Sequence, residues 1–346
     1  MSDFLGTAIG ELLDKEKIEL EFLANKTVGV DSYNIIYQFL SSIRGPDGTP
    51  LMDSQGNVTS HLTGILYRTT NLFEKGIRPV FVFDGKPHFL KAETIKKRQE
   101  IRTEAIGKHE RALKDGDLEE AKKQGSRALK LTKEMLSDAK ELIRALGFPV
   151  IEAPMEGEAQ ISVMCSEGKI YGVVSQDYDC LLFGAPKIFR NITVSGKRKV
   201  PGKSYYIDIS PEFIDLRKNL EGLKISRQKI VWLGILIGTD FNEKFPRIGP
   251  KTALKLVQEH DTFESICDTV KFKPEFDYKE IEEIFLKPEA TSDYNIEFRL
   301  PEREKVLEFL CEKHDFNRER VESVLKKLEA KANEKGSQQD LSAWFK

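Results

Sequence analysis

Short β-branched or aromatic runs recur along the first half of this chain, and each runs out at or near an acid. Residues 26–31 (KTVGVD), 79–84 (PVFVFD), 148–152 (FPVIE) and 171–175 (YGVVS) are strand-like. Helical patterns separate them, at 33–42, 61–75, after Phe89 and at 159–167. Alternation of this kind predicts an α/β fold, a central mostly parallel sheet with helices on both faces. In such sheets ligands bind beyond the carboxyl ends of the strands. Asp31, Asp84 and the pair Asp177/Asp179 fall at or just past those ends, which raises them above ordinary loop acids.

A second acid pair, Glu156 and Glu158, precedes the pattern at 159–167, so two pairs flank one short helical stretch. Residues two apart share a side of an extended chain, so Asp177 and Asp179 are expected to converge. Glu156 and Glu158 would diverge on a regular helix, but Pro154 and Gly157 mark a helix entry, where both can face one site near the N-terminal dipole. Each like-charged pair at ~4 Å repels by about 4 kcal/mol at an effective dielectric of ~20. Divalent cations relieve that repulsion, and all-oxygen ligands select Mg²⁺ or Mn²⁺ over zinc. Two such ions activate water and stabilise a leaving oxygen, so the pattern points to phosphodiester chemistry. A lone DxD is more often a turn than a ligand; acids at successive strand ends reverse the odds.

Composition narrows the reading. With 346 residues, 40% hydrophobic and 32% charged, the chain can bury a large core. Its longest apolar run, 230–238, is too short to span a bilayer and the N-terminus lacks a secretory pattern, so the expected setting is intracellular (cytoplasm or nucleoid), with no membrane. Four scattered cysteines and five scattered histidines form no zinc or disulfide pattern. A net charge of -2 gives no whole-chain argument for nucleic acid. From Lys91 to Lys140, however, 14 Lys and Arg stand against 10 Asp and Glu, net +4, and a second basic knot lies at Lys197, Arg198, Lys199 and Lys203. Bases along exposed segments would suit a polyanion brought to metals, although mixed Lys/Glu helices often only face water.

The stretch 89–146 is charged, helix-forming and out of rhythm with the α/β pattern, with Gly107, Gly116 and Gly125 as expected breaks. Lys91 and Arg98, seven apart, share a helix face. If that helix leans over the acids, both cations can grip a scissile phosphate; if it leans away, they are a solvated face. Farther on, 224–238 and 252–259 read as helices around a Gly238-Thr239-Asp240 stop and the run Ile248-Gly249-Pro250-Lys251. A helix, glycine-bearing hairpin and helix can offer backbone N–H groups to duplex phosphate, though such connections are also frequent in purely structural hairpins.

GVDSYNIIYQFL, TSHLTGILYRTT, VFVFDGKP, EAPMEGEAQ, SQDYDCLLFGAP and ILIGTDFN resemble, in order and spacing, motifs of the flap endonuclease family, from about Gly6 to the C-terminus. The resemblance implies a PIN-like, two-metal 5′ nuclease, with 5′-3′ exonuclease action beside cleavage of 5′ flaps on branched DNA in replication and repair. By position, Asp31, Asp84, Glu156, Glu158, Asp177, Asp179 and Asp240 match its metal-site acids, for two Mg²⁺ ions that Mn²⁺ can replace. Lys91 and Arg98 match its cationic pair, and Tyr37 an aromatic that stacks on a base. Residues 89–135 match a helical arch over the 5′ strand, with Arg102, Arg127 and Lys130 as phosphate contacts. Residues 225–260 match a helix-hairpin-helix, with Gly249 and Lys251 toward the duplex and a K⁺ ion on hairpin carbonyls. Family hairpins often read GIxGIG, of which only Gly249 remains here, and five residues precede the Gly6 that corresponds to the family start.

After the polar stretch 331–337, Gln338, Leu341, Trp344 and Phe345 place apolar anchors on one side of a helical turn, which usually signals docking. They resemble the box that binds the sliding clamp (PCNA). The expected layout is therefore one nuclease domain over 1–333 and a flexible clamp-binding tail over 334–346, in a monomer. Two alternatives stay open at this point: a related nuclease acting on gap, bubble or recombination junctions, and a non-catalytic DNA-binding clamp adaptor.

Overall fold

The computed structural model describes residues 8–45, 49–193, 196–199 and 206–343, with side chains at 8, 118, 122, 126–127, 196–199, 206–208 and 334–343 outside the description. Its strands are β1 (Glu16–Lys17), β2 (Thr27–Asp31), β3 (Arg78–Phe83), β4 (Val150–Glu152), β5 (Gly172–Val174), β6 (Lys187–Arg190), β7 (Gly196–Lys199), β8 (Tyr206–Ile209) and β9 (Glu212–Asp215). Seven form one sheet in the order β1-β9-β6-β5-β2-β3-β4; β7 and β8 pair separately as a hairpin. The contacts from β6 through β5, β2 and β3 to β4 are parallel, and only the two pairings of β9, with β6 and with the edge strand β1, are antiparallel. The mostly parallel sheet is thus as expected. The chain builds β2, β3 and β4 in one direction and then returns to place β5 on the other side of β2. That reversal opens a crevice at the carboxyl ends of β2 and β5.

Strand alternation assigns the two cores. Val80 and Val82 enter one cluster with Ile161, Met164, Leu233 and Leu236; Phe81 and Phe83 enter the other with Ile36, Phe39, Leu142 and Leu325. Gly29 in β2 lets a helix come close: a Cβ there would lie 2.5 Å from the Ile161 side chain. Helix Gly157–Ser166 can therefore lie tight against β2, which brings Glu158 toward Asp31.

The charged stretch folds as three helices, Ala92–Lys114, Leu118–Arg127 and Lys133–Ala145, of which the first two pack on each other. Of the three expected glycine breaks only Gly116 (φ +73) ends a helix; Gly107 and Gly125 lie inside helices. Nothing lies within 4 Å of a Cβ added at Gly107, whereas Gly125 faces the His109 ring, 3.0 Å from such a Cβ. A single glycine costs a helix only about 1 kcal/mol, so long flanking helical sequence overrides it. Helices Arg227–Ile237 and Pro250–Glu259 flank the hairpin, and the last helix runs Arg318–Ala343. The stretch 331–337 is accordingly helical in its backbone. Trp344 and Phe345, and the side chains of Gln338 and Leu341, lie outside the described residues. Among the described residues no helix is long and apolar enough to cross a membrane.

Candidate metal centre and nucleic-acid interface

Each acid is delivered by a strand end or a helix start. Asp31 closes β2 and caps helix Ser32–Ser42, its Oδ1 accepting from the Asn34 N–H at 3.1 Å. Asp84 follows β3 and accepts from the Gly157 N–H at 2.7 Å. A Cβ on residue 157 would sit 2.7 Å from that same carboxylate oxygen, which is why glycine stands between the two glutamates. Glu156 precedes helix Gly157–Ser166 without capping it, and Glu158 lies in its first turn. Both turn to the crevice, as the helix-entry reading expects.

Asp177 and Asp179 also converge, but by a different route. Tyr178 is helical (φ -97, ψ -5), and Asp177 Oδ1 accepts from the N–H groups of Tyr178 at 2.6 Å and Asp179 at 3.3 Å. A tight turn into helix Asp179–Leu182, rather than an extended strand, points both acids one way. Glu158, Asp177 and Asp179 each offer an oxygen within 4.8 Å of the others.

Glu156 and Asp240 gather around a cation. Lys91 Nζ lies 2.5 Å from Glu156 and 3.3 Å from Asp240, while Arg98 reaches Asp240 at 2.5 Å. Thr94 donates to the Asp240 carbonyl at 2.9 Å, and Lys97 pairs with Glu243. Helix Ala92–Lys114 therefore leans over the acids rather than away.

Electrostatics follow from burial. Desolvation and then Asp84 push Asp31 up to about 7, and desolvation and then Glu156 push Asp84 up to about 6. Burial and then Asp177 hold Glu158 well above the carboxylate range, and burial and then Asp179 do the same for Asp177. Burial acts to lower the Lys91 ammonium, yet Asp240 and Glu156 outweigh it and keep its pKa above the ordinary value. Buried carboxylates that hold protons near neutrality, with only oxygen donors in the tightest trio, fit hard divalent cations.

Of the residues expected to touch DNA, Tyr37, Lys130, Gly249 and Lys251 have describable surroundings. Tyr37 is partly buried, its phenol raised by desolvation against the opposing fields of Arg102, Arg44 and Arg98. Lys130 and Lys251 are exposed. Gly249 precedes helix Pro250–Glu259, and nothing lies within 4 Å of a Cβ added there, so that helix start is open. The Arg127 side chain lies outside the described residues.

Two groups of supporting residues escaped the sequence reading. Ser175 and Cys180 hydrogen-bond Glu158. Tyr178, between the two aspartates, accepts from Arg190, which also pairs with Glu212 at 3.1 Å. Their only sequence signal is adjacency to the Asp177/Asp179 motif.

Residues 8–105 match the XPG N-terminal domain and residues 147–240 the XPG I-region. Sheet, crevice and acids thus define an XPG-type nuclease. Flap endonuclease 1 of Pyrococcus abyssi (strain GE5 / Orsay) is 48% identical over 344 residues, 99% of this chain and 98% of that one. Flap endonuclease 1 of Pyrococcus furiosus is 47% identical over 345 residues, 99% and 100% of the two chains. Among solved structures, the flap endonuclease-1 from Methanococcus jannaschii aligns with TM-score 0.75 and 39% identity, over 95% of this chain and 100% of that chain. The catalytic core of Rad2 in complex with DNA substrate aligns with TM-score 0.66 and 25% identity, over 92% and 97% of the two chains. The chain belongs to the flap endonuclease family and is a structure-specific 5′ flap endonuclease. Relatives that are nucleases over nearly the whole chain set the non-catalytic adaptor aside.

Proposed function

We propose that Asp31, Asp84, Glu156, Glu158, Asp177, Asp179 and Asp240 hold two Mg²⁺ ions, replaceable by Mn²⁺, and that the phosphodiester at the single-strand/duplex junction is cut beside them. The observation that carries this reading is the convergence of buried acids at the carboxyl ends of β2, β3 and β5 beneath Lys91 and Arg98. Bound cations supply Lewis acidity toward phosphate oxygens and lower the pKa of water.

The chain's own residues do the rest. Lys91 and Arg98 present two fixed positive charges at the acid cluster, where a phosphate brought in by the 5′ strand meets them. As a water oxygen bonds to phosphorus and the bond to the leaving oxygen breaks, both cations face the negative charge that builds. Tyr37 stacks on a base at the crevice rim. Arg102, Arg127 and Lys130 follow the strand's phosphates through the arch, and the open helix start at Gly249, with Lys251, meets the duplex. A K⁺ ion at the hairpin is carried by family resemblance alone.

Cleavage of an end-labelled 5′-flap substrate is expected to vanish in EDTA and return with Mg²⁺. Asp31 and Asp84, at about 7 and about 6, must release their protons before binding a cation. Cation affinity therefore climbs as pH rises, and the Mg²⁺ concentration for half-maximal rate falls between about pH 6 and about pH 8. Cleavage that persists without divalent cation, or a half-point that rises with pH, overturns the assignment.

For the tail, Gln338, Leu341, Trp344 and Phe345 match a sliding-clamp box, and the last helix, Arg318–Ala343, runs through the first two of these positions. Truncation before Gln338 is expected to remove stimulation by the clamp (PCNA) and leave basal cleavage intact. Unchanged stimulation rules the tail out as the docking segment.

A further inference from the structure

Ser175 lies just past β5, two residues before Asp177, and is 3% exposed. Its hydroxyl is the meeting point of three acids that come from three separate segments. The Asp177 N–H donates to Ser175 Oγ at 3.0 Å, and that oxygen lies 3.1 Å from Glu158 Oε1 and 3.4 Å from Asp31 Oδ2. We propose that Ser175 is a positioning residue that sets the metal-binding geometry of Glu158, Asp31 and Asp177 before any cation arrives.

A serine hydroxyl has one proton to give and lone pairs to receive. The amide of Asp177 uses one lone pair. The single proton goes to one carboxylate at a time, and the shorter distance favours Glu158. Cys180 adds a second donor to the same oxygen, Sγ lying 3.3 Å from Glu158 Oε1. With both donors on Oε1, rotation of the Glu158 carboxylate about its last bond is restrained, and the group is held in the trio with Asp177 and Asp179. The proximity of Asp31 lets the same hydroxyl steady the end of β2. Without this tie, three carboxyl groups on independent segments would be free to turn apart as they ionise, and a cation would have to draw them back. Outer partners of metal-binding groups commonly govern affinity by about 10-fold to 100-fold.

This inference rests on the carboxylates being the cation site, so the experiment separates the two. Binding of Mn²⁺ to the full chain, without DNA, is measured by the loss of free-ion signal in electron paramagnetic resonance. The comparison is between Ser175→Thr and Ser175→Val, side chains of nearly equal volume of which only threonine keeps the hydroxyl. Threonine is expected to bind Mn²⁺ within about twofold of the unaltered chain, and valine about 10-fold more weakly or worse. Flap-DNA affinity in EDTA is expected to be the same for both. Equal Mn²⁺ affinity in the two variants, whether both strong or both weak, overturns the positioning role. Asp179→Ala serves as the control: if it binds Mn²⁺ as the unaltered chain does, the carboxylate site itself is wrong, whatever residue 175 does.

Discussion

Replacing Asp179 with alanine should reduce single-turnover cleavage of a 5′ flap by about 10³-fold or more, the scale on which removal of an electrostatic element raises a reaction barrier. Asp179 is 4% exposed and belongs to the tightest acid trio, with Glu158 and Asp177. It opens helix Asp179–Leu182, where alanine is a good helix former, so the local backbone is expected to hold. Flap-DNA affinity, measured by anisotropy, should stay close to that of the unaltered chain, because the arch and hairpin lie elsewhere. Loss of DNA binding along with cleavage would assign Asp179 a structural part instead. Full Mg²⁺-dependent cleavage would remove it from the metal site.

Lys91→Met should have two opposite signatures, which makes it the more discriminating change. The ammonium sits against Glu156 at 2.5 Å and Asp240 at 3.3 Å, with a side-chain exposure of 16%. Cleavage should drop by about 10²-fold to 10³-fold once the cation that faces the transition-state charge is gone. In EDTA the same variant should also melt earlier, since removing one partner of a largely buried ion pair leaves charges uncompensated, at a cost on the order of 3 kcal/mol. Mg²⁺ should restore most of that melting temperature but not the rate. A side chain that only stabilised the fold would show the loss of melting temperature in EDTA but no loss of rate once Mg²⁺ is present. If the rate returns with the melting temperature, Lys91 has no catalytic part.

The acids were legible for a physical reason. A parallel strand ends at the sheet's ligand-binding edge, so an aspartate closing a β-branched run, as Asp31 or Asp84 does, is placed by local sequence alone. Helix-forming composition likewise made the arch readable as helix. It did not say which glycines interrupt it, because Gly125 against His109 and Gly116 at positive φ differ in their surroundings rather than in sequence signal. The convergence of Asp177 and Asp179 was expected correctly on an extended-chain argument, whereas the chain achieves it with a turn at Tyr178. Ser175 stayed hidden because a serine beside a turn is commonplace, and only its distances to Glu158 and Asp31 set it apart.

By itself the sequence determined the parallel α/β frame and the oxygen-rich, hard-metal character of the site, since periodicity and side-chain chemistry are local properties. Tertiary structure decided how those acids divide, with Glu158, Asp177 and Asp179 in one trio and Glu156 and Asp240 around Lys91. It also decided that helix Ala92–Lys114 leans toward the acids. Both outcomes depend on distances between segments far apart in the chain, which burial and packing fix and no residue pattern encodes alone.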